Sequence, residues 1–267
     1  MKIRLALLSF VAVPALFLTS CNNDDAPANT TQDTAAVSVE FAHKYGTDAL
    51  ILGQEYTTSL NEHITVGSIK YIVSNISLTR ADGTVYNYPK SKSYFIVSHS
   101  KRAPLGFSLA DIPVGNYTKI NFGIGVDQAQ FNLGAAGQGD FLAAAQAEEM
   151  LWSWSAGYKF IAYDGTYSSE TVADALPFSI HTGKTSTDDN YGTVTLTLPQ
   201  TLQVRKGQTP GIHLATDVSK IIDGATKINL TQIDDQGTGA TIMGGTMAPV
   251  VTHNMEGAFS VSEVHNN

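Results

Sequence analysis

The chain has 267 residues, with 16 basic and 24 acidic side chains and a formal net charge of −8. This acidic balance makes nucleic acid a poor partner, because binding to a phosphate backbone needs clustered Lys and Arg. The single cysteine excludes an intrachain disulfide and a cysteine-based zinc site.

The N-terminal segment has the pattern of a secretory leader. Lys2 and Arg4 precede an apolar run, residues 5–18, that is too short to span a bilayer. The tetrapeptide that ends in Cys21 resembles the lipobox of bacterial lipoproteins. This resemblance implies cleavage before Cys21 and lipidation of its thiol, and Asn22 after it favours the outer membrane.

The segment after the leader predicts a lipid-anchored protein with one folded domain. Residues 21–36 are small and polar without an apolar period, which is typical of a flexible tether. Cleavage would leave 14 basic and 24 acidic side chains, a formal charge of 14 − 24 = −10. Residues 37–267 are within the length range of a single β-sandwich, which would face the periplasm or the cell surface.

The domain has many strand signals and few helix signals. Six segments with strand composition or alternation are Val37–His43, Ile69–Leu78, Tyr94–Val97, Tyr117–Val126, Gly192–Leu198 and Lys227–Leu230. Asp82-Gly83 predicts a hairpin turn. Helices are predicted at 141–150 with Asp140 as N-cap, and at 217–222 with Asp217 as N-cap. This pattern favours an all-β sandwich of mainly antiparallel strands with two or three short helices.

The paired tryptophans are the most informative local feature. Trp152 and Trp154 are the only two in the chain. A two-residue period continues through Tyr158, Phe160 and Ala162, which predicts one strand with both indoles on the same face. Such a face suits plain core, a stacking platform for a glycan or protein partner, or a surface that faces a metal. The residues alone leave these alternatives open.

The sequence does not indicate an enzyme. It contains no His-Glu-x-x-His, no Gly-x-Ser-x-Gly and no Gly-x-x-x-x-Gly-Lys motif. No two carboxylates are placed in a way that suggests a glycosidase. We therefore expect a binding protein.

Two histidines are candidate metal ligands, because imidazole suits copper and zinc. His43 shares its strand parity with Val37 and Phe41, which places it on the buried face of its strand. A histidine in such a position is more often a satisfied core residue than a ligand. His181 comes at the end of a predicted strand, before Gly183, where binding sites often form.

The other histidines and the methionines carry weaker signals. We interpret four histidines as ordinary surface or edge residues: His63, His99, His213 and His265. A C-terminal group of copper-preferred donors consists of Met243, Met247, His253 and Met255. Core filling is the better explanation for these methionines.

Short motifs in a shared order resemble those of the MbnP-like copper-binding proteins, a family named after a partner of methanobactin gene clusters. The matching segments are Phe41–His43, Tyr71–Leu78 with Asp82-Gly83, Pro113–Tyr117, Phe122–Asp127, Met150–Tyr158 with both tryptophans, and Phe178–Gly183. They cover most of the chain after the tether. An Asp-Pro that often precedes the motif methionine, and a cysteine that some members carry after the His-x-Gly, are missing here.

The resemblance implies a β-sandwich that binds copper outside the cytoplasm. It also implies that a dihaem peroxidase-like partner oxidises one tryptophan to kynurenine, which offers an aromatic amine and a carbonyl. Carried over by position, His43 and His181 are the imidazole ligands, and Trp152 or Trp154 is the modified residue. This assignment requires the two imidazoles to meet beside the paired tryptophans.

Overall fold

A computed structural model describes residues 32–99, 105–153, 156–184, 189–234 and 236–267. All of them belong to one compact unit, Gln32–Asn267. The predicted leader, Cys21, most of the tether and Trp154 lie outside the described residues. Within the described part, no helix has the length and apolar character needed to cross a membrane.

The fold is dominated by strands in two mixed sheets, which confirms the predicted all-β sandwich class. The strands are β1 Thr34–Tyr45, β2 Asp48–Ala49, β3 Glu55–Thr57, β4 His63–Arg80, β5 Val85–Asn87, β6 Tyr94–Ser98, β7 Leu105–Pro113, β8 Gly115–Ile124, β9 Leu151–Ser153, β10 Gly157–Ser168, β11 Leu176–Gly183, β12 Gly192–Val204, β13 Gly211–Asp217, β14 Ala240–Ile242 and β15 Phe259–His265. The helices are α1 Gln128–Phe131, α2 Asp140–Ala147, α3 Lys220–Asp223, α4 Leu230–Ile233 and α5 Met247–Glu256, with 3₁₀ turns at Lys90–Lys92 and Ala135–Gln138.

The smaller sheet is built around β1. This strand pairs in parallel with β13 and antiparallel with β7 and β2, and β15 joins the far edge of β13. Along one edge, β7 pairs with β1 as far as Phe41, and β2 pairs with it from Lys44. His43 lies between these two pairings.

The larger sheet has the order β12-β8-β4-β10-β11-β14. The long strand β4 pairs with β10 over its first half and with β8 over its second half. It also pairs with the short strands β3, β5 and β6, so β4 is the central strand around which this sheet is built.

Apolar side chains fill both faces of the larger sheet. The main core lies between the sheets, where Tyr71 of β4 contacts Phe41 of β1 and Phe259 of β15 through ring edges. A smaller cluster lies on the opposite, outer face near α2: Ile72, Val126, Ala145, Met150, Tyr158, Phe160 and Ala162. Alternation along β10 therefore separates its even-numbered residues on the outer face from Ile161 and Tyr163 in the main core.

Five of the six predicted strands are confirmed, as β1, β4, β6, β8 and β12, and so is the Asp-Gly hairpin between β4 and β5. The predicted strand at Lys227–Leu230 is wrong. Lys227 forms only an isolated bridge with Asp223. The chain then enters α4, whose N-cap Asn229 accepts a hydrogen bond from the backbone of Gln232. This capping bond favours a helical turn where Ile228 and Leu230 suggested a strand.

Both predicted helices exist, but their N-caps differ from the prediction. The N-cap of α2 is Gly139, whose φ of 55° suits glycine, and Asp140 is the first residue of the helix. The helix α3 begins at Lys220, after Ser219. Asp217 lies two residues before this N-cap, Ser219, and its carboxylate accepts hydrogen bonds from the backbone N–H groups of Gly46 and Ser219.

The prediction of one strand through both tryptophans is wrong. The chain reverses between β9 and β10, which form an antiparallel hairpin with Ser153 opposite Gly157. Gly157 has a φ of 86°, a conformation that a side chain would strain. Only the part of the pattern from Tyr158 onward therefore shares one strand face.

Candidate functional site

His43 faces a second histidine in the space between the two sheets. It lies on the inner face of β1 and is 4% exposed. Its Nδ1 lies 2.9 Å from the Nδ1 of His99, which directly follows β6. The backbone N–H of His99 donates to the carbonyl of Ile69 on β4, so the larger sheet holds this second imidazole. The pair thus joins one sheet to the other.

Tyr71 fixes the other side of the His43 ring. Its hydroxyl lies 3.0 Å from His43 Nε2 and 3.1 Å from Thr216 Oγ1. Two neutral imidazoles can face each other at Nδ1 only if one donates its N–H and the other accepts it. The two rings therefore share one proton across the gap between them.

Burial keeps both imidazoles neutral. Loss of solvation, and secondarily the charge of His99, lowers the pKa of His43 from 6.5 to about 3. Loss of solvation also lowers the pKa of His99. A neutral imidazole retains a lone pair for a metal ion. The pair therefore has the protonation state of a metal ligand set at neutral pH.

A cavity of about 390 Å³ lies beside the pair. Its lining combines apolar side chains such as Leu50 and Leu105 with the Glu40 carboxylate and the His213 imidazole. Glu40 is partly exposed and contributes negative charge, which attracts cations. The cavity thus has room for an ion next to the imidazole pair.

His181 occupies a different environment from His43. It is 9% exposed, and its Nε2 lies 2.8 Å from Asp164 Oδ1. Its Nδ1 is buried without a hydrogen-bond partner in the part of the chain that the structure describes. Burial raises the pKa of Asp164, but hydrogen bonds from His181, Ser179 and Ser68 outweigh this effect and lower the pKa overall.

The larger sheet separates His43 from His181. On β10, Ala162 lies opposite both Lys70 and His181, which places these side chains on the outer face. The neighbouring Tyr71 points inward to His43. The predicted meeting of His43 and His181 is therefore wrong, because the two side chains lie on opposite sides of the larger sheet.

Trp152 lies on the side of His181. A Cβ atom at Gly183 would come within 2.6 Å of Trp152 Cζ3, so the indole packs directly against this glycine. Gly183 is two residues after His181 on β11. Of the four predicted metal-site residues, the structure groups Trp152 with His181, leaves His43 apart, and does not describe Trp154.

Three histidines that sequence reasoning treated as ordinary are paired. His99 pairs with His43, and His213 Nε2 lies 3.0 Å from His265 Nδ1. Both pairs form between strands that are distant in the chain, so no local motif could indicate them. The same holds for Glu40, whose Oε2 lies 3.5 Å from His213 Nδ1.

Two of the three methionines in the C-terminal group agree with a core-filling role, and Met243 does not. Met255 is fully buried and Met247 packs against the main core, while Met243 is exposed. His253 is exposed beside Glu256. Among the described residues, no group of three or more His, Cys, Asp or Glu side chains is placed to hold a metal ion.

Comparison with known proteins gives one family and one solved structure. The MbnP family model matches residues 34–243. The structure of MbnP from Methylosinus trichosporium is similar, with 13% identity and a TM-score of 0.46 over 80% of this chain and 82% of that chain. No curated protein matches the chain.

Proposed function

Because the chain belongs to the MbnP family, we propose that it binds copper outside the cytoplasm, in copper acquisition or handling. The family is linked to copper through methanobactin. The observation that carries the proposal is the His43–His99 pair, two neutral imidazoles 2.9 Å apart beside a cavity.

The spacing of this pair suits two ligands of one ion. At a metal–imidazole distance of about 2.0–2.1 Å, two nitrogens 2.9 Å apart subtend about 90° at the metal. This is the angle between adjacent ligands in the tetragonal geometry that copper(II) prefers. Copper(I) held linearly between the same nitrogens would need a separation of about 4 Å, so the rings would move apart by about 1 Å.

The surroundings of His43 also suit a ligand. A metal-binding histidine usually has a polar partner on its second ring nitrogen, which fixes the ring orientation. Tyr71 is that partner here, and Thr216 in turn orients the Tyr71 hydroxyl. Copper bound by these residues would supply a redox-active ion, and the residues would hold and shield it.

Copper titration with chelator competition tests the proposal. We expect His99→Ala and the double variant His43→Ala/His99→Ala to lose copper affinity at least 100-fold. His63→Ala is the matched control, because His63 is exposed and its Nδ1 lies 3.3 Å from the Glu55 carboxylate. Circular dichroism checks that each variant is folded. Wild-type affinity in a folded double variant would rule out this ligand pair.

We further propose that Cys21 carries the lipid anchor and that a dihaem peroxidase-like partner oxidises Trp152 or Trp154 to kynurenine. The support is the lipobox and the paired-tryptophan motif. A kynurenine at 152 would lie near Gly183, on the His181 side of the larger sheet, and not at the His43–His99 pair. Peptide mass mapping of the protein from its native cell tests the oxidation, and two unmodified tryptophans would contradict it.

A further inference from the structure

The outer face of the smaller sheet carries a second imidazole pair. His213 on β13 and His265 at the end of β15 have ring centroids 4.9 Å apart, and Nε2 of the first lies 3.0 Å from Nδ1 of the second. Strand alternation points Ile212 and Leu214 into the core, so His213 points to solvent. The His43–His99 pair lies on the inner side of β1, although Glu40 and His213 also border the cavity beside it.

A glycine makes room for the second ring. Gly211 lies opposite His265 on the antiparallel partner strand and beside Ser38 on β1. A Cβ atom at this position would overlap the His265 ring and crowd Ser38 Oγ. The missing side chain lets the imidazole lie flat over the sheet, toward His213.

Glu40 orients His213 from the other side. It is the cross-strand partner of His213 on β1, and its Oε2 lies 3.5 Å from His213 Nδ1. A carboxylate at Nδ1 favours the tautomer with its proton there, which leaves the Nε2 lone pair directed at His265. Carboxylates occupy this position in metal sites, where they orient the imidazole and raise its basicity.

We propose that His213 Nε2 and His265 Nδ1 form a solvent-facing site for a divalent transition-metal ion, with Glu40 as a positioning residue. Their 3.0 Å separation matches two adjacent ligands at about 90–95° around an ion at about 2.0–2.1 Å. Copper(II) binds such imidazole sites most tightly among the divalent first-row ions. Water completes the coordination, and the site does not depend on copper binding at the inner pair.

The test is a copper(II) titration of the full chain in a His99→Ala background, followed by electron paramagnetic resonance. We expect one bound ion with hyperfine coupling to two imidazole nitrogens. His265→Ala should lower the affinity at least 10-fold and remove the two-nitrogen signal. Glu40→Gln should weaken binding about 10-fold but keep that signal, because it removes only the orienting partner. His253→Ala, which removes an exposed histidine beside a carboxylate, should change neither.

The outcomes separate this site from the proposed function. If His265→Ala keeps both the affinity and the two-nitrogen signal of its background, the outer site does not exist. That result would leave copper binding at His43 and His99 untouched. Loss of binding in His265→Ala together with no effect of His99→Ala in the wild type would support the outer site and contradict the inner one.

Discussion

Protons compete poorly with a metal ion for a buried imidazole, because burial disfavours the charged form of the ring. His43 is held by Tyr71 on one nitrogen and faces His99 with the other, between the two sheets. Because the pKa of His43 is lowered, His43 takes up a proton only at a pH several units below that at which an exposed histidine is protonated. The inner pair therefore keeps its lone pairs in mildly acidic surroundings.

The metal-free protein should lose stability in acid because of His43. Its pKa is about 3 in the folded state and near 6.5 in the unfolded state, so below pH 6.5 the unfolded chain binds more protons. The contribution of His43 to the free energy of unfolding is fully present above pH 6.5 and decreases by about 2 kcal/mol when the pH falls to 5. Urea unfolding at pH 7 and pH 5 measures this change.

The matched variant for this measurement is His43→Gln, which removes the titrating group. It should have a smaller decrease in unfolding free energy between the two pH values than the wild type. Equal decreases in both proteins would show that His43 does not titrate as the structure indicates.

Tyr71→Phe should weaken both the fold and the inner pair. It leaves the Nε2 of His43 and the hydroxyl of Thr216 without a shared partner in a buried place, which costs about 1–3 kcal/mol of unfolding free energy. Loss of an orienting partner should also lower copper affinity about 10–100-fold. Thermal unfolding and copper titration measure the two effects, with Tyr86→Phe, whose hydroxyl lies near the surface, as control. Unchanged copper affinity would show that Tyr71 does not orient the ligand.

At the scale of elements, the β9–β10 hairpin and β11 form one packing unit. Trp152 of β9 packs against Gly183, the last residue of β11. His181 lies two residues before Gly183 on the same strand. The contact between Trp152 and Gly183 brings the paired-tryptophan segment and the His-x-Gly segment of this chain together in space. The two segments pack against each other on the outer face of the larger sheet.

Gly183→Ala should disturb this unit. The new methyl group would overlap the backbone carbonyl oxygen of Tyr158 and come within 2.6 Å of Trp152 Cζ3, so the backbone and the ring must both shift, at a cost of about 1–3 kcal/mol. We expect lower thermal stability and a shifted tryptophan emission. Gly67→Ala is the control, since a Cβ there meets its neighbours at 3.5 Å or more. A variant with wild-type stability and emission would contradict the contact.

The sequence predicted elements better than it predicted the site. Alternation in β1 identified the buried face that carries His43, because one strand has a single period. The tryptophan segment failed because Gly157, at positive φ, ends the period with a turn. The partner of His43 could not be predicted, since His99 reaches it only when two sheets pack together. His181 was assigned to the same site by resemblance to the family, and short motifs in sequence do not reveal on which side of a sheet a strand residue points.

At the scale of the whole molecule, the sandwich separates three histidine environments. The inner pair lies between the sheets, His213 and His265 lie outside the smaller sheet, and His181 lies outside the larger one. A protein with this layout can hold ions at different depths from solvent. We propose that a lipid at Cys21, in the segment before the described fold, attaches this layout to a membrane.

Replacement of Cys21 tests the attachment. We expect Cys21→Ala to appear in the soluble extracytoplasmic fraction, whereas the wild type sediments with the outer membrane, because the variant has no thiol to receive a lipid. Ser20→Ala, which leaves the thiol in place, is the control. Immunoblots of cell fractions measure the distribution. A variant that stays with the membrane would show that another part of the chain provides the attachment.

Glu40 and His43 lie three residues apart on β1, and strand alternation points their side chains to opposite faces of the sheet, although both border the same cavity. The two metal sites that we propose therefore depend on the side chains of one strand being directed to two different faces. A one-residue insertion before Glu40 would exchange the two environments at once and abolish both.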